Sequence, residues 1–308
     1  MTYHILFNPL AGNGKGEERA KRLETLLTDV ARCYHDLTKL NGYAPLLRTL
    51  EPQDVLVLTG GDGTINRFLN EADYDAFENE ILYYATGSGN DFLHDLDKPA
   101  DAAPFSLRPY LKNLPSVTVN GQTRRFLNGI GYGIDGYCCE VGDRLRGTTD
   151  KPVNYTAIAI KGLLFHYHPV RATVTVDGQT RTFRRVWLAP TMHGRFYGGG
   201  MMVTPDQRRN NPAGTVSTCV LYGSGKLKTL LVFPSIFKGE HVKHEEMVQI
   251  LTGHEITVRF DRPTALQIDG ETILGVTEYS VRAPLREKGR QGRTRRRADA
   301  PSSGARGR

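Results

Sequence analysis

The sequence predicts an α/β domain with a largely parallel sheet, followed by an all-β sandwich. Three observations carry this. Over the first hundred residues, short β-rich apolar runs alternate with helical patterns, the signature of an α/β layer. Beyond about residue 115 the texture changes to short strands separated by turn dipeptides such as Asn120-Gly121 and Asp177-Gly178. Glycine-rich loops follow three of the early strands, and parallel strands bring such loops to one ligand-binding edge.

Residues 3–7 read as the first strand. Residues 17–30 then place Ala20, Leu23, Leu26, Leu27 and Val30 at helical spacing, so one amphipathic helix is expected against the sheet. Residues 54–59 form a second buried strand, followed by a helix that turns Ile65, Phe68, Leu69 and Ala72 inward, and residues 81–85 form a third strand. In the second part, residues 117–119, 172–176, 185–189, 216–221 and 255–260 read as strands, with one helix over 153–165. No internal repeat is visible. The expected boundary lies near residue 115, with domains over 1–115 and 116–271.

With 39% hydrophobic and 24% charged residues in 308, the chain has a globular balance and enough length for two modest cores. No run approaches the roughly 18 apolar residues of a membrane span, and no signal segment follows Met1, so a cytoplasmic protein is expected. Cys33, Cys138, Cys139 and Cys219 lack metal-site spacing and read as reduced thiols. Residues 286–308 hold nine Arg or Lys against Glu287 and Asp299, which accounts for the whole net charge of +7. This stretch has too little apolar surface to repay ordering and reads as a disordered tail. Its basic residues suit electrostatic attachment to anionic lipid, with nucleic acid as the competing polyanion and a plain solubilising role as the alternative.

The strongest local signal is Thr59-Gly60-Gly61-Asp62-Gly63-Thr64, between an apolar strand and a helical pattern. Glycines there let the backbone approach phosphate oxygens, and free N–H groups at the helix start favour anions. Asp62 among such amides makes sense if a cation such as Mg²⁺ accompanies the phosphates. A second loop, Ala85-Thr86-Gly87-Ser88-Gly89-Asn90-Asp91, and a third, Asn8-Pro9-Leu10-Ala11-Gly12-Asn13-Gly14, also follow strands. Together the three loops point to a nucleotide site. No Walker A loop is present, since Gly14-Lys15 is followed by Gly16 and Gly225-Lys226 by Leu227. Gly129, Gly131 and Gly133 also miss the dinucleotide fingerprint. Further on, Asp269 and Glu271 flank Gly270 and offer a carboxylate on a sharp turn, as phosphoryl transfer to a hydroxyl requires.

The combination of Asn8-Pro9, Gly60-Gly61-Asp62-Gly63-Thr64 and Gly87-Ser88-Gly89-Asn90-Asp91-Phe92 resembles the diacylglycerol kinase catalytic domain family, whose superfamily includes sphingosine, ceramide and bacterial lipid kinases. The blocks at 126–135, 196–201 and 267–271 follow in the family's order, so the resemblance spans roughly residues 3–284. It implies a two-domain lipid-kinase fold with the active site in the cleft. Residues 272–285 would return to the first domain. ATP contacts would come from Asn8, Pro9, Gly12, Gly60, Gly61, Gly63, Thr64 and Ser88, with Asn90, Asp91 and Thr38 as further candidates. Asp62 would hold Mg²⁺, Glu271 would accept the proton with Asp269 beside it, and Asp135 would meet the lipid head. The implied reaction is ATP-dependent phosphorylation of a membrane lipid hydroxyl, with diacylglycerol yielding phosphatidic acid, at a membrane the protein reaches peripherally.

The sequence departs from the family pattern twice. Ala213 stands where an aspartate of a structural-metal segment is usual within residues 205–214, leaving Asp206 or Asn211 as substitutes, and Arg67 replaces a glutamate. Three other readings remain open: a kinase for sphingoid or other lipids, an NAD kinase-like enzyme, and a catalytically silent lipid-binding regulator.

Overall fold

A computed structural model of the chain describes residues 1–87, 90–146 and 153–284. Ser88 and the basic stretch 286–308 lie outside the described residues. The first sheet contains β1 (Thr2–Phe7), β2 (Ala31–Asp36), β3 (Val55–Gly60), β4 (Glu80–Ala85) and β5 (Phe105–Ser106), in the order β2-β1-β3-β4-β5. All neighbours are parallel except β5, which runs antiparallel to β4. All six residues of β3 are buried because both faces are covered. Leu56 and Leu58 meet Ile65 and Phe68 on one face, while Val55 and Val57 meet Ala20 and Leu23 on the other. The helix Asp62–Glu71 turns Ile65, Phe68 and Leu69 inward, as their spacing predicts.

Residues 17–30 do not form one helix. They break into Gly16–Lys21 and Leu23–Leu26, the chain leaves helical geometry at Leu27, and Asp29 adopts φ 59°. Leu26 is exposed, and Val30 lies outside both helices. The β2 strand that follows has the sequence Ala-Arg-Cys-Tyr-His-Asp, and no residue of it is fully buried. An edge strand needs no apolar run, so periodicity gave no signal for it.

The second part of the chain contributes β6 (Ser116–Val119), β7 (Gln122–Arg125), β8 (Gly129–Tyr132), β9 (Val170–Val176), β10 (Gln179–Val186) and β11 (Thr191–Met192). The hairpin of β12 (Phe196–Tyr197) and β13 (Met201–Met202) is followed by β14 (Val216–Leu221), β15 (Val248–Gly253), β16 (Glu255–Ile268) and β17 (Glu271–Arg282). The main path runs β15-β14-β11-β8-β16-β17-β6-β7. The 14-residue β16 organises the sandwich, because its first half pairs with β9 and its end with β8. Val117, Tyr132, Val174, Val220, Val258 and Tyr279 fill the core between the layers.

Residues 272–285 were expected to return to the first domain, and residues 272–282 instead lie in the second sheet. β17 pairs with β16 and β6, with Tyr279 opposite Val258 and Val119. The two-residue turn Asp269-Gly270, with φ 46° and 96°, folds the chain straight back onto β16. A 13-residue helix, Ile134–Arg146, forms where no helix was expected, although Gly136 and Gly142 within it are weak helix formers. Gly136 serves packing instead, since a Cβ there would lie 1.9 Å from the carbonyl oxygen of Ala265 on β16.

Candidate active site

The strand order reverses between β1 and β3, and in parallel α/β sheets the crevice at such a switch, beyond the carboxyl ends of the strands, is where ligands bind. The loop after β1, the Gly60-Gly61 turn and the loop after β4 all meet there. The Gly60 carbonyl accepts the N–H groups of Thr86 and Gly87 at 2.8 and 3.0 Å. A Cβ on Gly87 would lie 2.6 Å from Gly61 Cα, so only glycine permits this approach. Arg19 ties in the third loop, donating from Nη1 to the Thr86 carbonyl at 2.5 Å and passing against Gly12. Asn8 accepts the Leu10 N–H through Oδ1 at 3.0 Å, which shapes the loop that also contains Pro9. A Cβ on Gly60 would meet Thr64 Oγ1 at 2.1 Å, whereas Gly63 borders open space. Thr38 lies at the same strand ends, exposed and bound through its N–H and hydroxyl to Asp36. Asn90 donates to the Gly87 carbonyl at 3.2 Å, and its buried Oδ1 has no partner.

The chemistry-bearing groups line the interface between the two sheets. Asp62, in the first turn of its helix, accepts the N–H groups of Asp91 and Phe92 at 2.8 and 3.2 Å, linking two helix starts. Asp91 in turn accepts from the backbone of Gly199 and Gly200 at 2.9 and 2.6 Å. Gly198, Gly199 and Gly200 have φ of 64°, 83° and 106°, a run of positive values that favours glycine and turns the N–H groups of Gly199 and Gly200 toward one anion. Asp269 accepts from Leu127, Asn128 and Gly129 at 2.5, 2.8 and 3.0 Å and from Asn66 Nδ2 at 2.7 Å. Its oxygens are therefore engaged in holding the Asp62–Glu71 helix against the sandwich. Asp135 accepts from Gln267 Nε2 at 3.0 Å, and any side chain at Gly131 would collide with its carboxylate. Glu271 differs from these four: it is half exposed and pairs with Arg124 at 3.0 Å.

Burial raises the pKa of all four aspartates. Asp62 is pushed up to about 7 by burial and then by the charge of Asp91, with Asp269 adding to it. Asp135 also reaches about 7, by burial and then the charge of Asp91 against the opposing bond from Gln267. In Asp91 and Asp269 burial outweighs the backbone donors. A carboxyl whose folded pKa exceeds its unfolded value stabilises the fold at low pH and loses that contribution as pH rises through the folded value. In chelating buffer, Tm is therefore expected to fall as pH rises from about 5 to about 8, with a smaller fall in Asp62→Asn, as followed by thermal unfolding.

Sequence reasoning missed several residues here. Asn66 stands outside the apolar stripe of its helix and in no motif, although it donates to Asp269, 203 residues away in the chain. The larger omission is Arg209, within the segment compared above with a metal site. Its Nε meets Asp95 at 2.6 Å, Nη1 donates to the Leu127 carbonyl, Nη2 meets Asn128 Oδ1 at 2.7 Å, and the guanidinium lies 4.9 Å from the Phe92 ring centre. Burial alone would raise the pKa of Asp95, but Arg209 and Arg195 hold it below the usual range. Asn211 is engaged in closing its own loop through Arg208 and Thr215, and Asp206 is exposed.

Two family models match this chain. The diacylglycerol kinase catalytic domain covers residues 2–118, and the YegS C-terminal NAD kinase beta sandwich-like domain covers residues 128–284. Two Mycobacterium tuberculosis proteins, of strains CDC 1551 / Oshkosh and ATCC 25618 / H37Rv, bear the name diacylglycerol kinase. Each is 25% identical over 257 residues, covering 79% of this chain and 80% of the relative. Among solved structures, a Bacillus anthracis str. Sterne protein provisionally assigned as a diacylglycerol kinase superposes with TM-score 0.64 at 19% identity, covering 91% of each chain. A structure of a diacylglycerol kinase from the same organism gives 0.57 at 17% identity, covering 92% of this chain and 94% of that one. These likenesses establish the fold.

Proposed function

We propose, from the premise that this chain belongs to the diacylglycerol kinase catalytic domain family and is a lipid kinase, that it transfers the γ-phosphoryl group of ATP to the free hydroxyl of diacylglycerol. The carrying observation is the Asp62–Asp91 pair, where two glycine loops of a phosphate-binding type meet the Gly198-Gly199-Gly200 turn across the cleft. In this reading the loops at Asn8–Gly12 and Gly60–Thr64 and around Asn90 receive the nucleotide, with Thr38 at its margin. Asp62 and Asp91 fit a hard divalent cation, because buried carboxylates that repel one another gain most from one. Mg²⁺ bound there would neutralise phosphate charge as the transfer proceeds.

The acceptor hydroxyl oxygen forms a bond to the γ-phosphorus while the bond to the β–γ bridging oxygen breaks, ADP leaves, and the hydroxyl proton passes to a carboxylate. We assign that proton to Glu271, which is more accessible than its neighbours, and the lipid head to the neighbourhood of Asp135. Asp269, with four donors on its oxygens, is a positioning residue. Glu271→Gln is expected to lower kcat by about 10² to 10⁴. A kcat within about tenfold of wild type would assign the proton elsewhere. The nine basic residues beyond 285 would strengthen attachment to an anionic membrane, by about 1 kcal/mol for each that reaches the surface.

Purified protein incubated with labelled ATP, Mg²⁺ and detergent micelles of diacylglycerol, sphingosine, ceramide or undecaprenol, or with NAD, tests the acceptor. Label in diacylglycerol supports the reading, and label confined to another acceptor replaces it.

A further inference from the structure

The sandwich carries an apolar surface that its own core does not use. The helix Tyr155–Lys161 and the π-helical turn Gly162–His166 bury Ile158, Ala159 and Leu163, yet Ile160 is 41% exposed and Phe165 69%. A second helix, Lys226–Val232, turns Thr229 and Val232 inward and leaves Leu227 and Leu231 at 74% and 82% exposure. Being four residues apart, these two leucines share one helix face. The Lys226 ammonium donates to the Leu164 carbonyl at 2.8 Å, which fixes the second helix beside the π turn. Several large apolar side chains on adjoining segments are more than single exposed residues, and such a patch marks an interaction surface.

Its surroundings select the partner. Lys161, Lys226 and Lys238 stand on or beside these segments in the sequence, and the acids at 240 and 246 are already paired, Glu246 with Lys228 and Glu240 with Lys243. Beside the π turn lies a cavity of about 340 Å³, where Tyr137, His166, His168 and Arg262 offer polar donors and Leu274, 61% exposed, stands at the wall. Glu140 also lines it and is paired with Arg144. Apolar side chains among cations, next to a donor-lined cavity, match the interface of an anionic bilayer, where acyl chains and phosphate groups lie side by side. The helix Ile134–Arg146 connects this face to the cleft: Asp135 in its first turn is buried in the site, while Tyr137 and Glu140 line the cavity.

We propose that the face formed by Ile160, Phe165, Leu227 and Leu231 docks on an anionic phospholipid bilayer, with the Tyr137–Arg262 cavity receiving a phosphate-bearing headgroup. The inference rests on the lipid-acceptor reading for its purpose and for the activity control, but not for the vesicle-binding measurement that decides it. Docking there puts a membrane-resident acceptor one helix away from Asp135. It is separate from attraction by the basic residues beyond 285, which salt would screen.

The test is co-sedimentation of the full chain with vesicles of phosphatidylcholine alone or with phosphatidylglycerol, at low salt and at about 1 M salt, where the Debye length is about 3 Å. The proposal expects binding to the mixed vesicles, with a fraction that survives high salt. That fraction should fall about tenfold or more in Leu227→Glu/Leu231→Glu and in Phe165→Glu. Arg262→Gln should reduce only the preference for the anionic lipid. Phosphorylation of a water-soluble short-chain diacylglycerol should stay at the wild-type rate in all three variants, which also shows that they fold. Wild-type vesicle binding by Leu227→Glu/Leu231→Glu would overturn the proposal. So would dissociation of a wild-type dimer into monomers by that change with vesicle binding unaltered, since the face would then seat a second copy. Vesicle binding without phosphorylation of any diacylglycerol would leave the surface standing and remove diacylglycerol as the acceptor.

Discussion

Asp62→Asn is expected to lower kcat by roughly a thousandfold or more while the protein keeps its fold. The substitution keeps a side-chain oxygen to accept from Asp91 or Phe92 and removes the negative charge. If Asp62 served only to join two helix starts, Asn would serve nearly as well, and activity would stay within about tenfold. If its charge holds the cation that neutralises phosphate, Asn leaves Asp91 as the one carboxylate of the pair, and Asp269, engaged by four donors, does not replace the lost charge. Stability should move the other way. A carboxyl raised to about 7 by burial and by Asp91 destabilises the fold above that pH, so the neutral variant should be at least as stable as wild type near pH 8. Lost activity with an unchanged or raised Tm is the signature of a group kept for chemistry at the expense of stability. Steady-state kinetics and thermal unfolding of one preparation decide it.

How far the sequence disclosed this arrangement depended on whether the signal was local. The Gly60–Thr64 turn was legible because a strand, glycines and a helix start follow one another within a few residues. β3 and its helix were equally legible, since a strand covered on both faces must be apolar throughout. β2 was not, because a polar edge strand exists through its partner β1 rather than its own composition. The role of Asp269 was half legible: Asp269-Gly270 reads as a tight turn, yet the donors on its carboxylate come from residues 127–129 and from Asn66, far away in the chain. The same limit explains the course of β17. The family resemblance returned residues 272–285 to the first domain, and the geometry of that turn keeps residues 272–282 in the second sheet.

Arg209 shows the limit most clearly and carries the second large expectation: Arg209→Met should destabilise the protein by about 3–5 kcal/mol and also lower kcat. The guanidinium is 5% exposed and the Asp95 carboxylate 3%, so removing one partner leaves a buried charge short of its compensation. Arg195, 3.2 Å from the other oxygen of Asp95, offsets only part of this. The loss should reach the chemistry because Arg209 joins three parts of the cleft. It holds Asp95, at the end of the helix that begins with Asp91, and it binds Leu127 and Asn128, whose backbone N–H groups hold Asp269. Loosening that joint lets the Asp62–Asp91 side shift relative to the Asp269–Glu271 side, and a misplacement on the order of 1 Å can cost about a hundredfold in rate. The double variant Arg209→Met/Asp95→Leu separates the two effects. With both charges gone, stability should recover in part, as it does when a buried ion pair is replaced by apolar groups, while kcat stays low because the bonds to Leu127 and Asn128 are not restored. Recovery of both together would reduce Arg209 to a stabilising contact, and recovery of Tm alone would assign it the alignment of the two halves of the active site.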